Sequence, residues 1–262
     1  MTTLADRTIA ALRAIHDDLA ALVHALTDEQ LAAPSGASEW TVAQVLSHMG
    51  SGAEIGLATL QTALAAGPAA GPDFNQSVWD RWNAMSPREQ ATNFVYHDAR
   101  LVAAYEALTS EQRMAAQVDL GFLPQPLPLA SFAGMRLNES AQHSWDVRVA
   151  FDPSAAIPAD VAAVQAEHLA GGLGFIVGFV GKADVLAAPA VIDFEGSGYG
   201  IVVTDKVAVV TEPGDPTATF HGPLEAAIRL VGGRLRPTNT PEKVKVTGAV
   251  TLDDLRRVFP GY

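Results

Sequence analysis

Glu139 and His143 stand four residues apart in Leu129 to Ala150, a proline-free stretch whose apolar residues recur at helical spacing. Four residues is just over one helical turn, so both side chains project from the same face. Phe132, Met135, Arg136, Asp146 and Ala150 lie within about 60° of Glu139 on that stripe. A lone E-x-x-x-H pair is also what a partly solvated helix face carries. His48 adds a third donor, set between Leu46 and Met49 on or beside a face that should pack inward. A solitary core histidine bonded to a carbonyl is the ordinary alternative, yet facing helices of bundles also hold metals through carboxylate and histidine side chains. Two neutral imidazoles and one carboxylate are donors of the type used by catalytic zinc, with a fourth position left open. The residues alone leave both readings standing.

The remaining histidines are weaker candidates. His16 and His24, eight apart near aspartate or leucine neighbours, are expected at the solvent boundary of a first helix. His97 beside Asp98 and His168 after Glu167 carry little ligand signal, and His221 before Gly222-Pro223 should be backbone-bonded at a strand end. Asp146 suits either a role behind a metal ligand or a surface ion pair with Arg148 or Arg136. Gly171-Gly172-Leu173-Gly174 follows no strand and lacks the Rossmann spacing, and there is no Walker-type lysine, which argues against nucleotide binding.

Holding the three donors together requires long helices. Leu4, Leu12, Ile15, Leu19, Leu22 and Leu26 recur at three- and four-residue steps, the mark of a first helix burying one face. Thr41 with Gln44 forms a capping box for a second helix to about Leu64, stopped by Gly67-Pro68 and Gly71-Pro72. Ser86-Pro87-Arg88-Glu89 starts a third helix through Tyr105 and Leu108, and Pro124, Pro126 and Pro128 make a stiff connector to the fourth. Four long helices suggest an up-and-down bundle. Beyond Asp152-Pro153 the pattern changes to short β-rich runs, so the boundary is placed to give 1–152 and 153–262. The second part reads as a helix from Asp160 to about Val180, then strands at Val191–Glu195, Gly200–Thr204, Val207–Glu212 and Ala218–His221 in one antiparallel sheet. A helix at Leu224–Val231, a strand at Val244–Thr247 and a last helix from the Thr251 and Asp254 cap to near Phe259 complete an α+β domain.

Composition narrows the function classes. The chain has 262 residues and no cysteine, which removes disulfides, thiolate metal sites and a protein thiol nucleophile. Any sulfur chemistry must arrive on a ligand. A formal charge of −12 argues against nucleic acid and anionic membrane partners. Asp6, Asp17 and Asp18 interrupt any secretory pattern, and no apolar run approaches the roughly 20 residues of a membrane span, so a cytoplasmic location is expected.

The segments Trp40-Thr41-Val42-Ala43-Gln44-Val45-Leu46-Ser47-His48 and Asn138-Glu139-Ser140-Ala141-Gln142-His143-Ser144-Trp145-Asp146, with a C-terminal α+β domain, resemble the mycothiol-dependent maleylpyruvate isomerase family. The resemblance implies a fold of class α plus α+β: a DinB-like four-helix bundle followed by a sterol-carrier-like domain with a mainly antiparallel sheet. It implies that His48, Glu139 and His143 bind Zn2+ or another divalent metal. The family's second domain also contributes an arginine, for which Arg229-Leu230-Val231-Gly232-Gly233-Arg234 is the best match, with Arg234 first and Arg229 second.

Two imidazoles and one carboxylate leave the metal a local charge of about +1, which favours an anionic fourth ligand such as a thiolate. The resemblance therefore implies mycothiol as cofactor and a small electrophilic acid as substrate. The expected outcome is cis–trans isomerisation of a maleylpyruvate-like acid or transfer of the thiol. The rival classes are a thiol-independent metal hydrolase, a lipid or small-molecule carrier, and a structural zinc site completed by His97.

Overall fold

Reciprocal side-chain caps set the helix starts in the N-terminal half. In the computed structural model, which describes residues 2–67 and 71–261, Thr3 opens α1 (Leu4–Ala25), Thr27 opens the one-turn α2 (Asp28–Leu31) and Thr41 opens α3 (Val42–Leu64). In each, the threonine hydroxyl accepts the third helical N–H, and that residue's side chain accepts the threonine's own N–H. Next come α4 (Pro72–Asn83), α5 (Pro87–Glu106) capped by Ser86, and α6 (Ser110–Ala115) capped by Thr109. Strands β1 (Gln117–Val118) and β2 (Leu127–Pro128) pair antiparallel just before α7 (Leu129–Arg148).

The four long helices α1, α3, α5 and α7 run where the periodicity places them. Pro68, one of the expected stop signals, lies outside the described residues. Gly71-Pro72 does more than stop a helix, because proline suits the first helical turn and here begins α4. The proline-rich connector likewise contributes β2. Leu19, Val23, Leu31, Val42, Val45, Leu46, Met49, Phe94 and Val147 pack as one apolar cluster among α1, α2, α3, α5 and α7.

The backbone divides into two units, Met1–Asp152 and Pro153–Tyr262. In the second, the single helix expected from Asp160 to Val180 is broken into α8 (Ala159–Ala170) and α9 (Gly174–Val180), which meet at 83°. Gly171 and Gly172 explain the break, since glycine is the costliest ordinary residue to hold in a helix and freely adopts the turn between them. No single described helix is long and apolar enough to cross a membrane.

Five strands follow, β3 (Ala190–Phe194), β4 (Tyr199–Val203), β5 (Val207–Thr211), β6 (Ala218–His221) and β7 (Lys245–Gly248), in the order β5-β4-β3-β6-β7. The sheet is mainly antiparallel but mixed, because β6 pairs parallel to β3 with Ile192 opposite Ala218. The β4–β5 hairpin fills one side of β3, and the chain returns to the other. Ile192, Phe194, Ile201, Val203, Val207, Val209, Ala218 and Phe220 bury one face at period two. Helices α10 (Leu224–Val231) and α11 (Leu252–Val258), the latter capped by Thr251, complete the α+β unit.

Candidate metal centre

α3 carries His48 and α7 carries Glu139 and His143, and the two helices bring all three donors to one place. His48 Nε2 lies 3.1 Å and His143 Nε2 3.5 Å from the same oxygen, Glu139 Oε2. One ligand atom from each residue lies within 4.8 Å of the others. Bonds of 2.0–2.2 Å in a tetrahedral shell separate neighbouring ligand atoms by about 3.3 Å, so the two shorter distances already match a coordination sphere. The His48 and His143 rings meet edge-on, 4.8 Å between centroids at 71°. Nitrogen and oxygen donors of this kind fit a divalent cation.

The second ring nitrogen of His143 is also committed. Asp146 Oδ2 lies 2.9 Å from His143 Nδ1, and Asp146 is completely buried. A carboxylate there holds the proton on Nδ1 and presents Nε2 as the lone-pair donor. Asp146 therefore stands behind the ligand and is no surface partner; Arg148 pairs with Asp18 and Arg136 with Asp98.

Burial acts to raise the Glu139 carboxyl pKa, but the imidazoles of His143 and His48 beside it outweigh burial and hold the group well below the usual carboxylate range. It remains a charged donor at neutral pH. Exposure is graded across the centre, with the side chains of His48 and Glu139 42% and 36% exposed and that of His143 only 7%. The open side is the one a small molecule can reach.

Trp40 forms a wall of the centre. Its ring stands 5.2 Å from that of His48 and stacks on that of His143 at 6.1 Å and 22°. The loop before α3 fixes it: Ser35 donates from both N–H and hydroxyl to the Trp40 carbonyl, and Gly36 donates its N–H to the Asp146 carbonyl at 2.7 Å. A side chain at Gly36 would meet Val149 at 2.6 Å, so only glycine lets this loop press against α7.

His16 departs from its expected place at the solvent boundary. It is buried, with Nδ1 2.7 Å from Asp98 Oδ2, because α5 supplies a carboxylate to the inward face of α1. His97 does not join the donor group; it faces Glu54 at 3.7 Å and packs against Trp82 and Tyr96, and burial lowers its pKa. His221 bonds side chains rather than backbone, Thr247 Oγ1 at 2.9 Å and Glu195 Oε2 at 3.0 Å. Its neighbours on the sheet face provide closer partners than the turn.

Both candidate arginines belong to the second unit and both are buried. Arg229 grips Glu225 through Nε and Nη2, at 2.7 and 3.1 Å, and donates Nη1 to the Asn239 carbonyl. Arg234 donates Nη1 to the Gly232 carbonyl at 2.7 Å.

A family profile described as the mycothiol maleylpyruvate isomerase N-terminal domain matches residues 12–148. Two uncharacterized proteins, from two strains of Mycobacterium tuberculosis, are each 32% identical over 148 residues, which cover 53% of this chain and 54% of theirs. The match therefore spans about half the length of those curated relatives. A crystal structure of the mycothiol-dependent maleylpyruvate isomerase superposes with a TM-score of 0.66 at 17% identity, covering 95% of this chain and 98% of that one. A mutant of that enzyme gives 0.65 with the same identity and coverage. At such identity the likeness is one of fold. The matched segment takes in more than half of the chain, with all three converging donors inside it, and by that match the chain belongs to the mycothiol maleylpyruvate isomerase N-terminal domain family.

Proposed function

We propose that the chain is a metal-dependent enzyme that uses mycothiol to isomerise a maleylpyruvate-like cis acid, or to transfer that thiol to a related electrophile. The observation that carries this reading is the convergence of His48, Glu139 and His143 on one point with Asp146 buried behind it. When bound there, a divalent metal, zinc by the chemistry of the donors, would supply the Lewis acidity that makes a thiol a thiolate near neutral pH. The chain's own residues do the rest. Glu139 cancels one unit of metal charge, His143 is locked in one tautomer by Asp146, and Trp40 limits access from one side. The exposed edge at His48 and Glu139 is the side from which a thiol and a small acid would approach.

In the second unit, Arg234 is proposed ahead of Arg229 as the carboxylate-binding arginine. The order follows the match of Arg229-Leu230-Val231-Gly232-Gly233-Arg234 to the family's second domain. A bidentate pair with a substrate carboxylate would fix its orientation.

The test incubates metal-loaded protein with mycothiol and a panel of electrophiles that includes maleylpyruvate, following thiol concentration and product mass. Isomer formation with thiol conserved identifies an isomerase, and a mass gain equal to the thiol identifies a transferase. Turnover without added thiol, or no thiol-dependent change with metal fully bound, overturns the proposal. Metal content should be about one divalent ion per chain and fall in His48→Ala and Glu139→Ala.

A further inference from the structure

Arg136 precedes Glu139 by three residues on α7, and its guanidinium lies inside the bundle. The side chain is only 9% exposed, and Nη2 donates to Asp98 Oδ1 at 2.6 Å. Asp98 turns its other oxygen to His16. Of the five guanidinium N–H donors, Asp98 takes one end-on. Nε is buried and has no hydrogen-bond partner among the described residues. Nη1 points toward α3, 3.3 Å from where a Cβ on Gly52 would stand. Gly52 lies one turn beyond His48, so this nitrogen stands against α3 one turn along from a donor, between the two helices that carry all three.

A purely structural ion pair does not account for this arrangement. Arg13 and Arg113, which tie helices together at the surface, each engage Nε, Nη1 and Nη2 with acceptors. Arg136 is far more buried and far less satisfied, and an unmatched buried donor costs on the order of 1–3 kcal/mol. An anion held against the guanidinium between α3 and α7 would offset that cost with charge-assisted hydrogen bonds. A Cβ at position 52 would stand 3.3 Å from Nη1, so glycine there spares the guanidinium a tight contact on its α3 side.

We propose that Arg136 is an anion-binding residue between α3 and α7, taking a carboxylate of a substrate whose reacting carbon lies about one helical turn away at the His48, Glu139 and His143 centre. This deepens the functional reading above and rests on it for the identity of the reacting carbon. It gives the bundle its own carboxylate site, independent of any arginine in the second unit. The substrate class it selects is a small carboxylic acid with its electrophilic carbon a few bonds from the carboxylate. Neutral amides and esters of the same shape are disfavoured, because burying them against Arg136 gains no charge-assisted hydrogen bond.

The test titrates metal-free protein with maleate, and in parallel with neutral maleamide, following the Arg136 Nε–H resonance and the heat of binding. Maleate should shift that resonance and maleamide should not. Arg136→Lys should weaken maleate binding about tenfold or more, since an ammonium cannot reproduce the planar fork. Gly52→Ala should weaken it comparably while leaving the Asp98 contact and the melting temperature intact, because alanine favours the helix. Equal maleate affinity in wild type and both variants, or equally tight maleamide, overturns the anion site. If wild type shows no thiol-dependent reaction while maleate binding still depends on Arg136, the functional reading falls and the anion site stands. If the thiol-dependent reaction proceeds with unchanged KM in Gly52→Ala, the anion site falls and the functional reading stands.

Discussion

The hydrogen bond between His143 Nδ1 and Asp146 decides whether three nearby donors make a usable centre. Without a buried acceptor behind it, the His143 ring could turn or carry its proton on Nε2, and one ligand would be lost. Asp146→Asn keeps the shape but removes the charge, and should weaken metal binding about 10–100-fold in a chelator competition with the fold unchanged. Unaltered affinity would make Asp146 a packing residue only. At this scale the sequence is informative where chemistry follows helical spacing, as it does for Glu139 and His143. It is less so where the partner comes from a distant helix: His16 is turned inward by Asp98 of α5, and no local pattern announces that pairing. Asp146 falls between these cases, because a helical wheel gives its direction but not its burial.

Elements pack as closely as their smallest residues allow. At Gly50 on α3 an added Cβ would lie 2.2 Å from the Trp82 ring and 3.0 Å from the Phe94 Cα, so α3, α4 and α5 share this point. Gly50→Ala is therefore expected to destabilise the bundle by about 1–3 kcal/mol, outweighing the better helix propensity of alanine, as a lowered melting temperature would show. The same substitution two residues on, at Gly52 on the opposite face, should not. The long capped helices were legible because caps and periodicity are local signals. α4 was not, since its start coincides with residues that also end helices. The break between α8 and α9 was visible as Gly171-Gly172 yet hidden by apolar residues on both sides. The parallel β3–β6 pairing depends on where the chain returns, which strand composition does not encode.

Charge is distributed unevenly over the whole molecule. Residues 1–152 hold 8 arginines, no lysine and 17 carboxylates, a formal −9 of the chain's −12. An anionic acid approaching the bundle meets a repelling field, which a divalent cation on the three proposed donors would offset locally. Raising ionic strength from about 0.01 to 0.1 M shortens the screening length from about 30 to 10 Å. The kcat/KM for an acid substrate should therefore rise several-fold with salt, the reverse of steered association, while that of a neutral amide stays flat. A fall with salt would place the approach path away from this field. All four tryptophans, Trp40, Trp79, Trp82 and Trp145, also lie in the bundle unit. Tryptophan emission consequently arises in the bundle unit alone. Trp40, stacked on one donor imidazole and close to another, turns that emission into an optical gauge of the centre.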